Sequence, residues 1–174
     1  MTDFSAVATP ALVIDLAQVD RNCARVAAYA ADHGLTWRPH VKTHKSAQVA
    51  ARQLAAGAVG LSCATPREAE VMATVCSDLL LAYPPVGTER LRRTVAVAAQ
   101  VRLTVMLDSL ESATALSEAL AAPGASARVL IEVDAGMRRT GVVGVEPAVE
   151  LARAVAAFPG LTFAGFGFYP GQLR

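Results

Sequence analysis

The chain has 174 residues, 53% of them hydrophobic and 5% aromatic, which is one domain by length with ample material for a core. A formal net charge of +1 gives no electrostatic case for nucleic acid or an anionic membrane, and no stretch reaches the ~18 unbroken apolar residues of a spanning helix. Three cysteines, Cys23, Cys63 and Cys76, without CxxC spacing argue against disulfides or a thiolate metal cage; buried packing in a reducing cytoplasm is expected, and the opening MTDFSAVATP has no secretory character.

Taken in chain order, Leu12 to Asp15 reads as a short strand and Leu16 to Asp32 as a helix stopped by Gly34. Thr36 to Thr43 reads as a strand, Ser46 to Ala56 as a helix ending at Gly57, and Val59 to Ala64 as a strand. Thr65, Pro66 and Glu68 form the N-cap, first position and capping-box partner of a helix over Arg67 to Val75. Strand Leu79 to Tyr83 is cut by Pro84-Pro85, and helix Thr88 to Ala99 precedes strand Val101 to Leu107. Ser109 caps a helix over Leu110 to Ala121, and strand Arg128 to Asp134 leads into the loop GMRRTG. Pro147 opens helix Ala148 to Ala157, and Leu161 to Phe168 is the last strand. The alternation predicts an α/β fold of parallel strands with right-handed crossovers, as an open doubly wound sheet or as a barrel. With neither a GxGxxG turn nor a Walker-type loop in sight, the barrel is preferred. Eight strand–helix units need ~250 residues, so about six of eight are expected here.

The segment Trp37 to Lys45, WRPHVKTHK, carries the chemistry. On a strand, Arg38, His40, Lys42 and His44 share one side, opposite Trp37, Pro39, Val41 and Thr43. A solvated edge strand would explain such a row without function. Inside a parallel series, a row of basic groups is costly unless it serves a site. A lysine among cationic neighbours, partly removed from water, has its charged form disfavoured, and its free amine attacks carbonyls to form Schiff bases. Metal binding by His40 and His44 is disfavoured, because four residues of strand span ~13 Å. In Val129 to Gly141, Glu132 and Asp134 point away from the helix-facing side, and the loop delivers Arg138 and Arg139 to the C-terminal rim, where barrel sites form. Arg138 alone reads as a solvated loop residue, and a strand-end Tyr169 alone as amphipathic packing.

RPHVKTHK, followed by IEVDAGMRRTG and FYPGQ, together with the opening TPALVIDLAQVDRN, resembles the D-threonine aldolase and D-serine dehydratase-like family, whose fold is that of the alanine racemase N-terminal domain. The resemblance covers essentially the whole chain. It implies a (β/α) TIM-type barrel domain over residues 1–174, incomplete, with residues 11–16 as a strand belonging with a C-terminal β-rich domain that this sequence lacks. It implies pyridoxal 5'-phosphate held by Lys42, with Lys45 the neighbour not to be mistaken for it. It further implies that Arg139 lies near the cofactor ring and Tyr169 beside it. His40, and with less support Arg38, His44 and Gln172, complete the candidate set; Gln172 stands where many relatives have a histidine. No metal ligand set is expected in this chain, since the family's divalent-metal ligands and much of its phosphate site lie in regions absent here. The implied activity is a lyase acting on β-hydroxy-D-amino acids by retro-aldol cleavage or dehydration, in a cytoplasmic enzyme that is homodimeric at full length. Alternatives are an amino-acid racemase, a non-catalytic carrier of pyridoxal phosphate, or a poorly folding remnant.

Overall fold

In the computed structural model, residues 4–122 and 124–173 are described; residues 1–3, 123 and 174 of the expected 1–174 domain lie outside them. Helix α1 (Leu16–Asp32) starts at Asp15, whose carboxylate accepts from the Gln18 N–H, and Gly34 follows its end with φ +64°. Then come α2 (Ala47–Ala55), β1 (Leu61–Cys63), α3 (Pro66–Met72), β2 (Asp78–Leu81), α4 (Thr88–Ala98) and β3 (Arg102–Leu107). The chain finishes with α5 (Leu110–Ala121), β4 (Ala127–Val133), α6 (Val145–Ala157) and β5 (Leu161–Phe168). The five strands are parallel and adjacent in chain order, each joined to the next by a helix. This is the α/β architecture of a partial barrel.

Alternation along the strands sorts the faces. Leu61, Leu79, Leu81, Leu103, Val105, Leu107, Val129 and Ile131 are buried against the helices, with Ala69, Met72, Val97, Leu116, Leu120 and Val155 supplying the helix side. The other face carries paired rows across the sheet: Ser62, Leu80, Thr104 and Arg128, then Met106, Leu130 and Gly165, then Glu132 beside Gly167. A Cβ at Gly167 would stand 2.8 Å from the Met106 methyl, the end of a flexible side chain that would have to shift.

Several expectations are corrected. Leu12 to Asp15 forms no strand; no neighbouring strand offers it ladder partners, and Leu12 is 89% exposed. The strand expected over Thr36 to Thr43 survives as a single parallel bridge, His40 to Ser62. Pro39 has no N–H to give, and the pairing slips by a residue at Gly60, between the Val59 N–H on Trp37 O and the Ser62 N–H on Pro39 O. From Val41 the chain turns, closed by the Lys45 N–H on Val41 O at 2.8 Å, with Lys45 at φ +50°. Helix α6 begins three residues before Ala148, so Pro147 sits within its first turn, where its missing N–H costs nothing. Helix α3 stops at Met72 rather than Val75, and β1 is three residues long.

Candidate active site at the C-terminal rim

Apart from Arg38, and His40, which pairs with Ser62 within β1, the candidate residues follow the C-terminal ends of the strands, the rim where barrel sites form. Arg38 is placed at the other end. Its guanidinium donates to Asp78 O and Asp78 Oδ1, both at 3.0 Å, and Arg102 pairs with the second oxygen of that carboxylate. Asp78 opens β2, so this triad closes the bottom of the sheet, and Arg38 leaves the cofactor-binding set.

His40 sits on the inner face beside Ser62, and Lys42 follows in the turn. Burial, then the charge of Lys42, hold the His40 imidazole below its ordinary pKa. It is therefore neutral at neutral pH, with Nδ1 accepting the Lys42 N–H at 3.3 Å. The Lys42 side chain is exposed, so the expected removal of its amine from water is not met. Lys42 follows the His40 bridge into the turn, and among the described residues the sheet ends at β5. The expected single row is broken too. His44 is carried round the turn, and its Nδ1 accepts the Ser46 N–H at 3.1 Å, supporting the start of α2.

The second group comes from the loop after β4. Asp134 accepts the N–H groups of Gly136 and Arg138 at 2.9 and 3.0 Å, and those bonds, Arg138 first, hold its carboxyl below the ordinary aspartate range. The loop closes where Val142 pairs with Val133, and the Gly141 N–H donates to Asp108 Oδ2. Gly141 lies at φ +106°, and a Cβ there would stand 2.5 Å from the Asp134 nitrogen, so no side chain fits. This closure carries Arg139 back over the Tyr169 ring, 4.7 Å from its centroid. Gln172 donates through Nε2 to Ala135 O, tying the segment after β5 to the same loop.

Below this pair lies Glu132, 3% exposed. The Thr140 hydroxyl donates to its Oε1 at 2.8 Å, while its Oε2 has no protein partner. Glu132, Thr140, Arg139 and Tyr169 line one small cavity. Glu132 was legible from the sequence as inward-pointing; Thr140 and Asp108 were not, since their roles come from how the loop folds back.

A cofactor with an aldehyde, a flat ring and polar oxygens meets suitable partners here: an exposed amine, a neutral imidazole, a guanidinium over a phenol ring, and an orphaned buried carboxylate oxygen able to accept a hydrogen bond. The residues fit such a group. Residues 14–173 match the alanine racemase N-terminal domain family. The chain belongs to that family. It is 35% identical to D-threonine aldolase of Arthrobacter sp over 97% of this chain and 45% of that protein. With 3-hydroxy-D-aspartate aldolase of Paracoccus denitrificans (strain Pd 1222) it shares 36% identity over 99% of this chain and 45% of that protein. The crystal structure of D-threonine aldolase from Filomicrobium marinum superposes with a TM-score of 0.89 at 40% identity, covering 92% of this chain and 44% of that one. The chain thus spans about 45% of the length of the curated relatives it matches. None of the described helices is long and apolar enough to cross a membrane.

Proposed function

We propose that this chain is the pyridoxal-phosphate-holding barrel portion of a lyase for β-hydroxy-D-amino acids, of the D-threonine aldolase or D-serine dehydratase type, with Lys42 as the covalent anchor. What supports the reading is topology: Lys42 follows the His40–Ser62 bridge, while the paired Arg139 and Tyr169 follow β4 and β5, so all three leave the parallel sheet at its C-terminal end. The relatives named as aldolases and dehydratases of D-configured hydroxy amino acids support the substrate class.

Pyridoxal phosphate supplies an electron sink for negative charge developing at the substrate α-carbon. The residues of this chain do the rest. Lys42 Nζ would hold the aldehyde carbon of the cofactor and, when free, would be placed to take or give a proton at the substrate α-carbon. Arg139 would present N–H donors to an anionic oxygen of the ring or substrate, and the Tyr169 ring beneath that guanidinium helps to hold it in place. His40, neutral and accepting the Lys42 N–H, fixes the backbone from which the amine projects. Glu132 Oε2 is an acceptor for a donor arriving in the cavity. Buried, free Cys23, Cys63 and Cys76 support a cytoplasmic setting, and a homodimer is the assembly we propose for the complete protein.

Reduction with borohydride in the presence of pyridoxal phosphate should fix the cofactor on Lys42, read by peptide mass mapping, and Lys42→Ala should abolish that label. A folded chain with no label on Lys42 overturns the reading. A racemase is separated from a lyase by assaying D-threonine for release of glycine or ammonia against conversion to the L form. A second reading, a carrier of pyridoxal phosphate without turnover, is favoured by the exposure of Lys42, and label without product release from D-threonine would select it.

A further inference from the structure

Two lysines stand three residues apart in RPHVKTHK, and both amines reach solvent, with the Lys45 side chain 65% exposed. Exposure therefore does not decide between them. The turn does. Lys45, at φ +50° and closing the turn on Val41 O, sends its side chain to the start of α3. There its Nζ lies 3.3 Å from Glu68 Oε1. That carboxylate is fixed: its side chain is 8% exposed, its Oε2 accepts the Ala64 N–H at 2.8 Å, and its own N–H is held by Thr65 Oγ1. Lys42 makes no ion pair among the described residues.

We infer that Glu68 is a positioning residue that reserves the cofactor for Lys42 by holding the Lys45 amine toward the start of α3, withdrawn from the inner face. This inference rests on the reading of Lys42 as the anchor. An amine condenses only when unprotonated: its nitrogen adds to the aldehyde carbon, water leaves, and a carbon–nitrogen double bond remains. A fixed carboxylate 3.3 Å from Lys45 Nζ engages that amine in an ion pair and points it toward α3, away from the inner face. Without that carboxylate, Lys45 becomes a second exposed amine on a five-residue turn and competes for the same aldehyde. Glu68 Oε2 accepts the Ala64 N–H just ahead of the Thr65 N-cap, so one side chain both steadies the entry to α3 and disposes of the wrong nucleophile.

The test uses the whole 174-residue chain. It is incubated with pyridoxal phosphate below one equivalent and reduced with borohydride, whose hydride goes to the imine carbon while solvent supplies the proton to nitrogen. The label is then divided between Lys42 and Lys45 by peptide mapping. The parent should carry its label mainly on Lys42. In Glu68→Gln the Lys45 share should rise by about threefold or more, the size expected for loss of a part-exposed ion pair. Glu68→Asp keeps the charge but withdraws it by one methylene, and should raise the Lys45 share in the same direction. Should the Gln variant fail to fold by circular dichroism, the Asp variant decides. A label division unchanged in the folded variants, or equal labelling of both lysines in the parent, overturns the role of Glu68 and leaves Lys42 as an anchor. A parent labelled on neither lysine overturns the anchor itself. A purely structural role for Glu68 would lower total label without moving the ratio.

Discussion

Gly60 shows how one missing side chain fixes the lower end of the sheet. A Cβ at that position would stand 2.0 Å from Arg38 Nη1 and 2.5 Å from Asp78 O, so the guanidinium occupies the space a side chain would take. Gly60→Ala must expel Arg38, leaving the buried Asp78 carboxylate with Arg102 alone. A loss of roughly 2–4 kcal/mol is expected, from overpacking against backbone plus a broken buried pair. Urea unfolding should show a lower midpoint with an unchanged slope, and a midpoint within error of the parent would contradict the packing described. The same residues mark the limit of the sequence reading. Alternation put Arg38 and His40 on one face, but it gives the face and not the height. Two residues of strand are ~6.6 Å, enough to take Arg38 to the Asp78 end while His40 stays near the rim. Lys42 was found through its motif, whereas its exposure depends on a turn that strand periodicity does not announce.

At the scale of elements, the helix starts were legible where a side chain makes the cap. Asp15, Ser46, Thr65 and Ser109 each accept the N–H three residues on. Gly87 and Gly144 precede α4 and α6 without any side-chain bond, which is why the start of α6 was read from Pro147 and placed late. The loop after β4 was legible as a carrier of arginines but not as a closed structure, since Asp134 looks in sequence like a second inward acid. Its job is to hold two backbone N–H groups. Because its folded pKa lies below the ordinary value, its contribution to loop stability is complete above the unfolded pKa of ~3.9 and is lost as pH falls through the lower folded value. The amide resonances of Gly136 and Arg138 should therefore titrate together with a midpoint below ~3.9. Separate midpoints, or one above that value, would remove Asp134 from this role. Asp134→Ala should free both amides and detach Arg139 from Tyr169, weakening cofactor capture while leaving the strands intact.

For the molecule as a whole, strand order followed directly from the strand–helix alternation, because each right-handed crossover sets its strand beside the last. Whether the sheet curves toward closure was not written in the alternation, since an open sheet and a barrel share it locally; the lack of a GxGxxG or Walker-type loop favoured the barrel, and motif resemblance then implied it. What the sheet leaves uncovered has a consequence of its own. Among the described residues β5 is paired only with β4, so its other edge presents strand N–H and C=O groups without a ladder partner there, and Phe166 and Phe168 on the helix-facing side are half-exposed or more. An apolar groove beside them runs along Val133, Val145, Ala148 and Val149. An unpaired strand next to exposed aromatic surface is the combination that drives chains together, and its electrostatic opposition is weak at a net charge of +1. The isolated chain should therefore show a sedimentation coefficient that rises with concentration. Phe168→Lys, which puts a charge beside the open edge, should suppress that rise while leaving helix content unchanged. If parent and variant both sediment as monomers at every concentration, the edge is covered by something intrinsic to the chain. If both associate equally, the contact lies elsewhere and the β5 face is acquitted.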